Sequence, residues 1–102
     1  MAVLDEYTPL AIVDVETTGA DPAADRVTEI AVLEASGATL TGRWSTLVNP
    51  GLPVPGAIQA LTGITQHMVD AAPRFAQIAD ELYRILSRHL GKRGVRVVEL
   101  AA

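Results

Sequence analysis

The segment Leu10-Ala-Ile-Val-Asp-Val-Glu16 constrains this chain more than any other. It is apolar at every position except two acidic ones, and it stops at Thr17-Thr18-Gly19. Its length, β-branched content and glycine stop predict a buried strand. Residues two apart on a strand project from one face, at a repeat of roughly 6.5 to 7 Å, so Asp14 and Glu16 must emerge together. Burying two carboxylates in an apolar run is costly unless they are paired, hydrogen-bonded or set on a cation. The strand contains no Lys or Arg to neutralise them.

A hard divalent cation is the natural partner. Oxygen ligands select Mg²⁺ or Mn²⁺, and two carboxylates can share a pair of ions roughly 3.5 to 4 Å apart, an arrangement that cleaves phosphodiesters. Thr17, Thr18 and Gly19 add hydroxyls and N–H groups at the strand end, where Gly19 lets the backbone approach a sugar or terminal hydroxyl. The plainer reading is that both acids face solvent at a sheet edge and that the loop is an ordinary turn.

The rest of the chain supplies the frame. Ala20 to Arg26, with Asp21-Pro22 and Asp25, is a turn-forming loop, and Val27 to Ala35, Ser36-Gly37 and Thr39 to Val48 predict an antiparallel hairpin. Asn49 to Pro55 carries three prolines and predicts a rigid connection. Gly56 to Leu61 and Thr65 to Val69 suit short helical turns. Beyond Pro73, the residues Phe75, Ile78, Ala79, Leu82, Tyr83, Ile85, Leu86 and Leu90 recur at helical spacing and predict a long helix packed on the sheet. Gly91 to Gly94 reads as a turn, and Val95 to Leu100 as the start of a fourth strand. Trp44, Phe75, Leu82 and Leu86 are expected to be packing residues, and His67 and His89 to be surface or boundary residues.

Length and charge narrow the function. The chain has 102 residues, 49% of them hydrophobic, and no cysteine, which points to one globular domain without disulfides or thiolate metal sites. Such a chain buries only roughly 60 to 70% of its unfolded surface, so its core is expected to need completion. No apolar run nears the roughly 18 residues of a membrane span, and the acidic N-terminus is unlike a secretory signal, so a cytoplasmic protein with no membrane partner is expected. Residues 1–87 hold 11 acidic and 4 basic side chains, whereas Arg88, Lys92, Arg93 and Arg96 face Glu99 alone in residues 88–102. The acidic body excludes binding of phosphate backbones by bulk charge and makes metal ions a requirement for any nucleic-acid chemistry. The basic tail reads as a solvated helix end rather than a phosphate strip.

Val13-Asp14-Val15-Glu16-Thr17-Thr18-Gly19 resembles the first motif of the DnaQ-like (DEDD) 3′-to-5′ exonucleases, the family of the proofreading subunit of bacterial DNA polymerase III. Asp21-Pro22, Asp25 to Ala31, Thr46 to Pro50 and Ala60 to Thr65 follow the family's order, so the resemblance spans residues 10–86. It implies an α/β (α+β), RNase H-like fold, a mixed sheet flanked by helices. It also implies hydrolysis of single-stranded nucleic acid from the 3′ end by water activated between two Mg²⁺ or Mn²⁺ ions. By resemblance Asp14 and Glu16 are metal ligands and catalytic residues, Thr17 and Thr18 line the terminal nucleotide, and Leu61, Thr62 and Ile64 border the same pocket. A DNA polymerase subunit is the partner suggested by analogy.

The family's second Asp-bearing motif, and its third with a His general base and last Asp, have no counterpart in the sequence. Residues 1–102 are therefore expected to form a single incomplete exonuclease domain, holding three strands, the long helix and a partial fourth strand, with 88–102 a divergent basic tail. Two alternatives compete with a nuclease: a non-catalytic remnant that binds a nucleotide or a protein, and a generic α+β interaction domain without metal.

Overall fold

The computed structural model describes residues 9–89 and the backbone of 96–101. The predicted strands form as β1 (Pro9–Thr17), β2 (Val27–Ser36) and β3 (Thr39–Leu47), followed by helices α1 (Gly56–Thr62), α2 (Gln66–Asp70) and α3 (Phe75–Ser87), and then β4 (Arg96–Ala101). β2 pairs antiparallel with both β1 and β3, and β4 returns to lie parallel to β1, giving the order β3-β2-β1-β4. A parallel partner needs a crossover connection, and the segment carrying the three helices supplies it. The sheet is therefore mixed, as the sequence leads one to expect.

Alternation along the strands sorts residues between two faces. Ala11, Ile30, Val32 and Val48 are buried with Ile78 and Ile85 of α3, while Val13, Val15, Val27, Trp44, Leu82 and Leu86 pack against this cluster. Trp44 is a packing residue, as expected. Phe75 and Tyr83 are not, with 48% and 70% of their surface exposed. The buried stripe runs through Ile78, Leu82, Ile85 and Leu86; Phe75 opens the helix ahead of it, and Tyr83 is rotated about 100° from Leu82.

A second, smaller cluster, Val54, Ile64 and Val69, is joined by Leu47 and Ile58. Two glutamines fasten it: the Gln59 amide donates to the Val54 carbonyl (2.9 Å) and accepts from the Gln66 N–H (3.0 Å), while Gln66 accepts from the Val54 N–H (2.7 Å). Between the two short helices Gly63 adopts φ 76°, a left-handed cap that a side chain would strain, and its N–H closes on the Gln59 carbonyl.

His67 is exposed, as expected, whereas His89 is 5% exposed and is no surface or boundary residue. It lies at the end of α3 with Nε2 3.4 Å from a Glu34 carboxylate oxygen, and Arg88 reaches the other oxygen at 3.1 Å. The apolar packing of α3 against the sheet carries the imidazole inward with it. Lys92, Arg93, Leu90 and the turn at 91–94 lie outside the described residues. No helix among the described residues is long and apolar enough to cross a membrane.

Candidate functional site

Asp14 and Glu16 occupy the face of β1 opposite α3, because Ala11, Val13 and Val15 take the inward positions of the alternation. Both are half-buried. The ladder places Asp14 across from Ala31 and Glu16 across from Glu29. Directly opposed residues share a face, so a third carboxylate joins the first two. The Glu16–Glu29 pair continues the regular register that starts at Pro9–Ser36, and with Ile30 and Val32 turned into the core, alternation along β2 puts Glu29 on the acidic face; the ladder slips only beyond this pair, between Glu16 and Thr17.

The electrostatics follow from this crowding. Burial, then the neighbouring Asp14, then Glu29, push the Glu16 carboxyl above its ordinary value. Among the described residues Arg88 pairs with Glu34, with His89 Nε2 near the same carboxylate, and neither Asp14 nor Glu16 has a cationic partner. A set of hard oxygen donors without a counter-charge fits Mg²⁺ or Mn²⁺ in chemistry. It falls short in number: among the described residues no three acidic or histidine side chains converge closely enough to hold an ion.

The residues after Glu16 form a closed loop. The Thr17 hydroxyl donates to the Gly19 carbonyl (2.6 Å). Thr18 is 2% exposed; its hydroxyl donates to Asp25 Oδ1 (2.7 Å) and accepts from the Arg26 N–H (3.1 Å). Thr18 thus holds the loop from inside, and the open surface there belongs to Thr17 and Gly19, which are half-buried. Asp25 also accepts from the Asp21 N–H (2.8 Å), and the bonds from Thr18 and Asp21 hold its carboxyl below the ordinary range.

The residues expected to border a nucleotide pocket lie beside this end of the sheet. Leu47, which anchors the second cluster, is the cross-strand partner of Glu29, so α1 and α2 are moored at the same end and face as Glu16. Leu61 is 81% exposed on α1 and free to meet a ligand. Ile64 is 5% exposed and belongs to the cluster's interior, while the Thr62 hydroxyl donates to the Ile58 carbonyl (2.8 Å) and accepts from the Ile64 N–H (3.2 Å). Of these three, Leu61 presents the open surface, and the other two support it. Glu29 and Asp25 are the two residues at this end that the sequence did not single out for the site. The first takes its place from strand pairing and the second from a hydrogen bond that spans seven positions.

Comparison with known proteins agrees with this architecture. The RNase T exonuclease family matches residues 11–97. The 3′-5′ exonuclease DinG of Staphylococcus haemolyticus is 36% identical over 80 residues, which are 78% of this chain and 9% of that protein. The DNA polymerase III subunit epsilon of Aquifex aeolicus is 32% identical over 79 residues, 78% of this chain and 39% of the subunit. The chain thus spans well under half the length of these relatives. Among solved structures, the nuclease domain of 3′hExo, a DEDDh family member bound to rAMP, superposes with a TM-score of 0.72 at 24% identity, covering 97% of this chain and 54% of that one. Cell-death related nuclease 4 gives 0.75 at 19% identity, over 92% and 35%. These superpositions show the fold, the RNase H-like arrangement of exonucleases. With the family matched along most of its length, the chain belongs to the RNase T exonucleases.

Proposed function

We propose that this chain forms the part of a 3′-5′ exonuclease domain that carries its first pair of metal ligands, Asp14 and Glu16, and one wall of the site for the 3′-terminal nucleotide. The observation that carries this reading is the placement of two carboxylates on one face of an otherwise apolar strand, with a third across the ladder and, among the described residues, no cation paired to the first two. Mg²⁺ or Mn²⁺, when bound, supplies the charge that offsets the scissile phosphate and lowers the pKa of an attacking water.

The chain's own residues do the rest. Asp14 and Glu16 offer oxygens at the strand end. The Thr17 to Gly19 loop brings backbone close to the terminal sugar, and exposed Leu61 gives an apolar surface for a base. Two carboxylates do not complete a two-ion site, so full activity needs further oxygen ligands and a general base beyond those of this sequence. The substrate is single-stranded DNA or RNA, and the setting is the cytoplasm. A polymerase partner rests on likeness to the epsilon subunit alone.

The test is a Mn²⁺ titration of the 102-residue chain, beside Asp14→Ala and Glu16→Ala, with release of nucleoside monophosphates from single-stranded DNA and RNA as second readout. We expect the wild-type chain to bind Mn²⁺ and both variants to lose most of that binding. Binding that survives both substitutions sinks the proposal. Metal binding without any release, in a chain supplied with the missing motifs, selects the nucleotide-binding remnant instead.

A further inference from the structure

We propose that Asp25 is a positioning residue for the loop that meets the 3′-terminal nucleotide, acting through Thr18 and Gly19 on the peptide units next to Glu16. What the loop meets rests on the exonuclease reading above; the clamp itself does not. Thr18 sits where the β1–β2 ladder has slipped, and it restores the connection twice over. Its N–H donates to the Arg26 carbonyl (2.8 Å), and its hydroxyl accepts from the Arg26 N–H (3.1 Å) while donating to Asp25 Oδ1 (2.7 Å). The second oxygen of Asp25 takes the Asp21 N–H (2.8 Å), and the Asp25 N–H donates to the Asp21 carbonyl (2.8 Å), so the carboxylate spans both limbs of the loop.

Gly19 completes the seat. A Cβ placed there would stand 2.5 Å from Asp25 Oδ2 and 2.9 Å from its carboxyl carbon. The loop backbone therefore rests directly on the carboxylate, with room for no side chain between them. The Thr17 hydroxyl on the Gly19 carbonyl ties the preceding unit to the same point. The three residues that follow Glu16 are thus fixed relative to Asp25, which is itself an acceptor at both oxygens. Those bonds favour its charged form and draw its carboxyl below the ordinary value. Held this way, the backbone that would face the terminal sugar needs little ordering when a nucleotide arrives, and preorganisation of that kind appears as affinity.

The experiment compares Asp25→Ala, Asp25→Asn, Thr18→Val and Thr18→Ser with the wild-type 102-residue chain. Exchange of the Thr18 amide hydrogen, bonded to Arg26 and not to Asp25, reads the clamp with no metal present. We expect Asp25→Ala and Thr18→Val to speed that exchange by about tenfold while amides of β2 and α3 hold their rates, the effect of losing one hydrogen bond locally. With Mn²⁺ present, the same variants should weaken AMP binding by about five- to tenfold and leave Mn²⁺ affinity within about twofold. Thr18→Ser, which keeps the hydroxyl, should restore both readouts. Unchanged Thr18 exchange and AMP affinity in Asp25→Ala and Thr18→Val overturn the proposal. So does a parallel loss of Mn²⁺ and AMP that merely tracks unfolding. Should Asp25→Ala not fold, the Thr18→Val and Thr18→Ser pair decides the matter. A wild-type chain that binds no Mn²⁺ defeats the exonuclease reading through a different result, while the exchange data judge the clamp on their own.

Discussion

Glu16 and Asp25 flank the same loop, and the fold treats them in opposite ways. Glu16 sits among like charges in a partly dry place, and its carboxyl is pushed up by burial, Asp14 and Glu29. Asp25 accepts from Thr18 and from Asp21, and its carboxyl is drawn down. One group is held at a cost to the fold, and the other helps to hold it. Structural carboxylates look like Asp25, with each oxygen given a donor. Among the described residues Glu16 has no such donor and stands beside two more carboxylates. The contrast sets Glu16 apart from Asp25 on physical grounds that the sequence pattern does not contain.

The largest effect that tests the contrast is expected at the seat between them. Gly19→Ala forces a methyl group onto the Asp25 carboxylate, and we expect it to lower stability by about 1 to 3 kcal/mol, the range for overpacking. Urea unfolding measures this. Combined with Asp25→Ala the damage should be less than additive, since the second change removes the atoms that the methyl group strikes. Additive losses break the picture of a carboxylate seated on the loop.

Acid titration comes next and separates the two groups by sign. Glu16 has a raised folded value, so the stability it contributes is fully present below its unfolded value and is lost as pH rises through the folded one. Asp25 has a lowered folded value, so its contribution is present above its unfolded value and is lost as pH falls through the folded one. Between about pH 3 and pH 7, the span that brackets ordinary carboxylates, Glu16→Gln should therefore gain on the wild type as pH rises. Asp25→Asn should lose ground over the same interval. At neutral pH the gain from Glu16→Gln is expected to be roughly a few tenths of a kcal/mol, because solvent screens a half-exposed group. Mn²⁺ should reverse the order, since it stabilises only the protein that binds it. Parallel pH profiles for the two variants end the comparison.

How much of this was legible beforehand follows from where the signal is local. The strand from Leu10 to Glu16 announces itself, because a β-branched apolar run and two stranded acids are both visible within seven residues. The hairpin at Ser36-Gly37 and the stripe of α3 are local too, though the stripe is narrower than the period suggests: Phe75 and Tyr83 match it and yet stay exposed. What could not be read depends on long-range register. Glu29 joins the acidic face through its pairing with Glu16, a cross-strand neighbour that the pattern of neither strand names by itself. His89 reads as a surface residue on its own helix, and it becomes buried through its approach to Glu34, which is far away in sequence. The Thr18 hydroxyl reads as available for a ligand and Thr62 as a pocket border; the fold commits their hydroxyls to Asp25, Arg26, Ile58 and Ile64.

The smallest expected effect lies at the other end of β2, where Glu34 shows what a carboxylate on this sheet does when it has partners. Arg88 reaches it at 3.1 Å and His89 at 3.4 Å, and its side chain is 16% exposed. The Arg88 side chain is 58% exposed, so the pair contributes little, and Arg88→Ala should cost roughly 0 to 1 kcal/mol and less in high salt. Glu34→Gln is the sharper probe. It is chemically the same change as Glu16→Gln on a neighbouring strand, yet it removes a charge that has a cation rather than one that lacks it. The two substitutions should shift the urea midpoint in opposite directions in metal-free buffer, Glu34→Gln downward and Glu16→Gln upward. If both move it the same way, counter-charge is not what distinguishes the two carboxylates, and the case for a cation at Asp14 and Glu16 loses its physical basis.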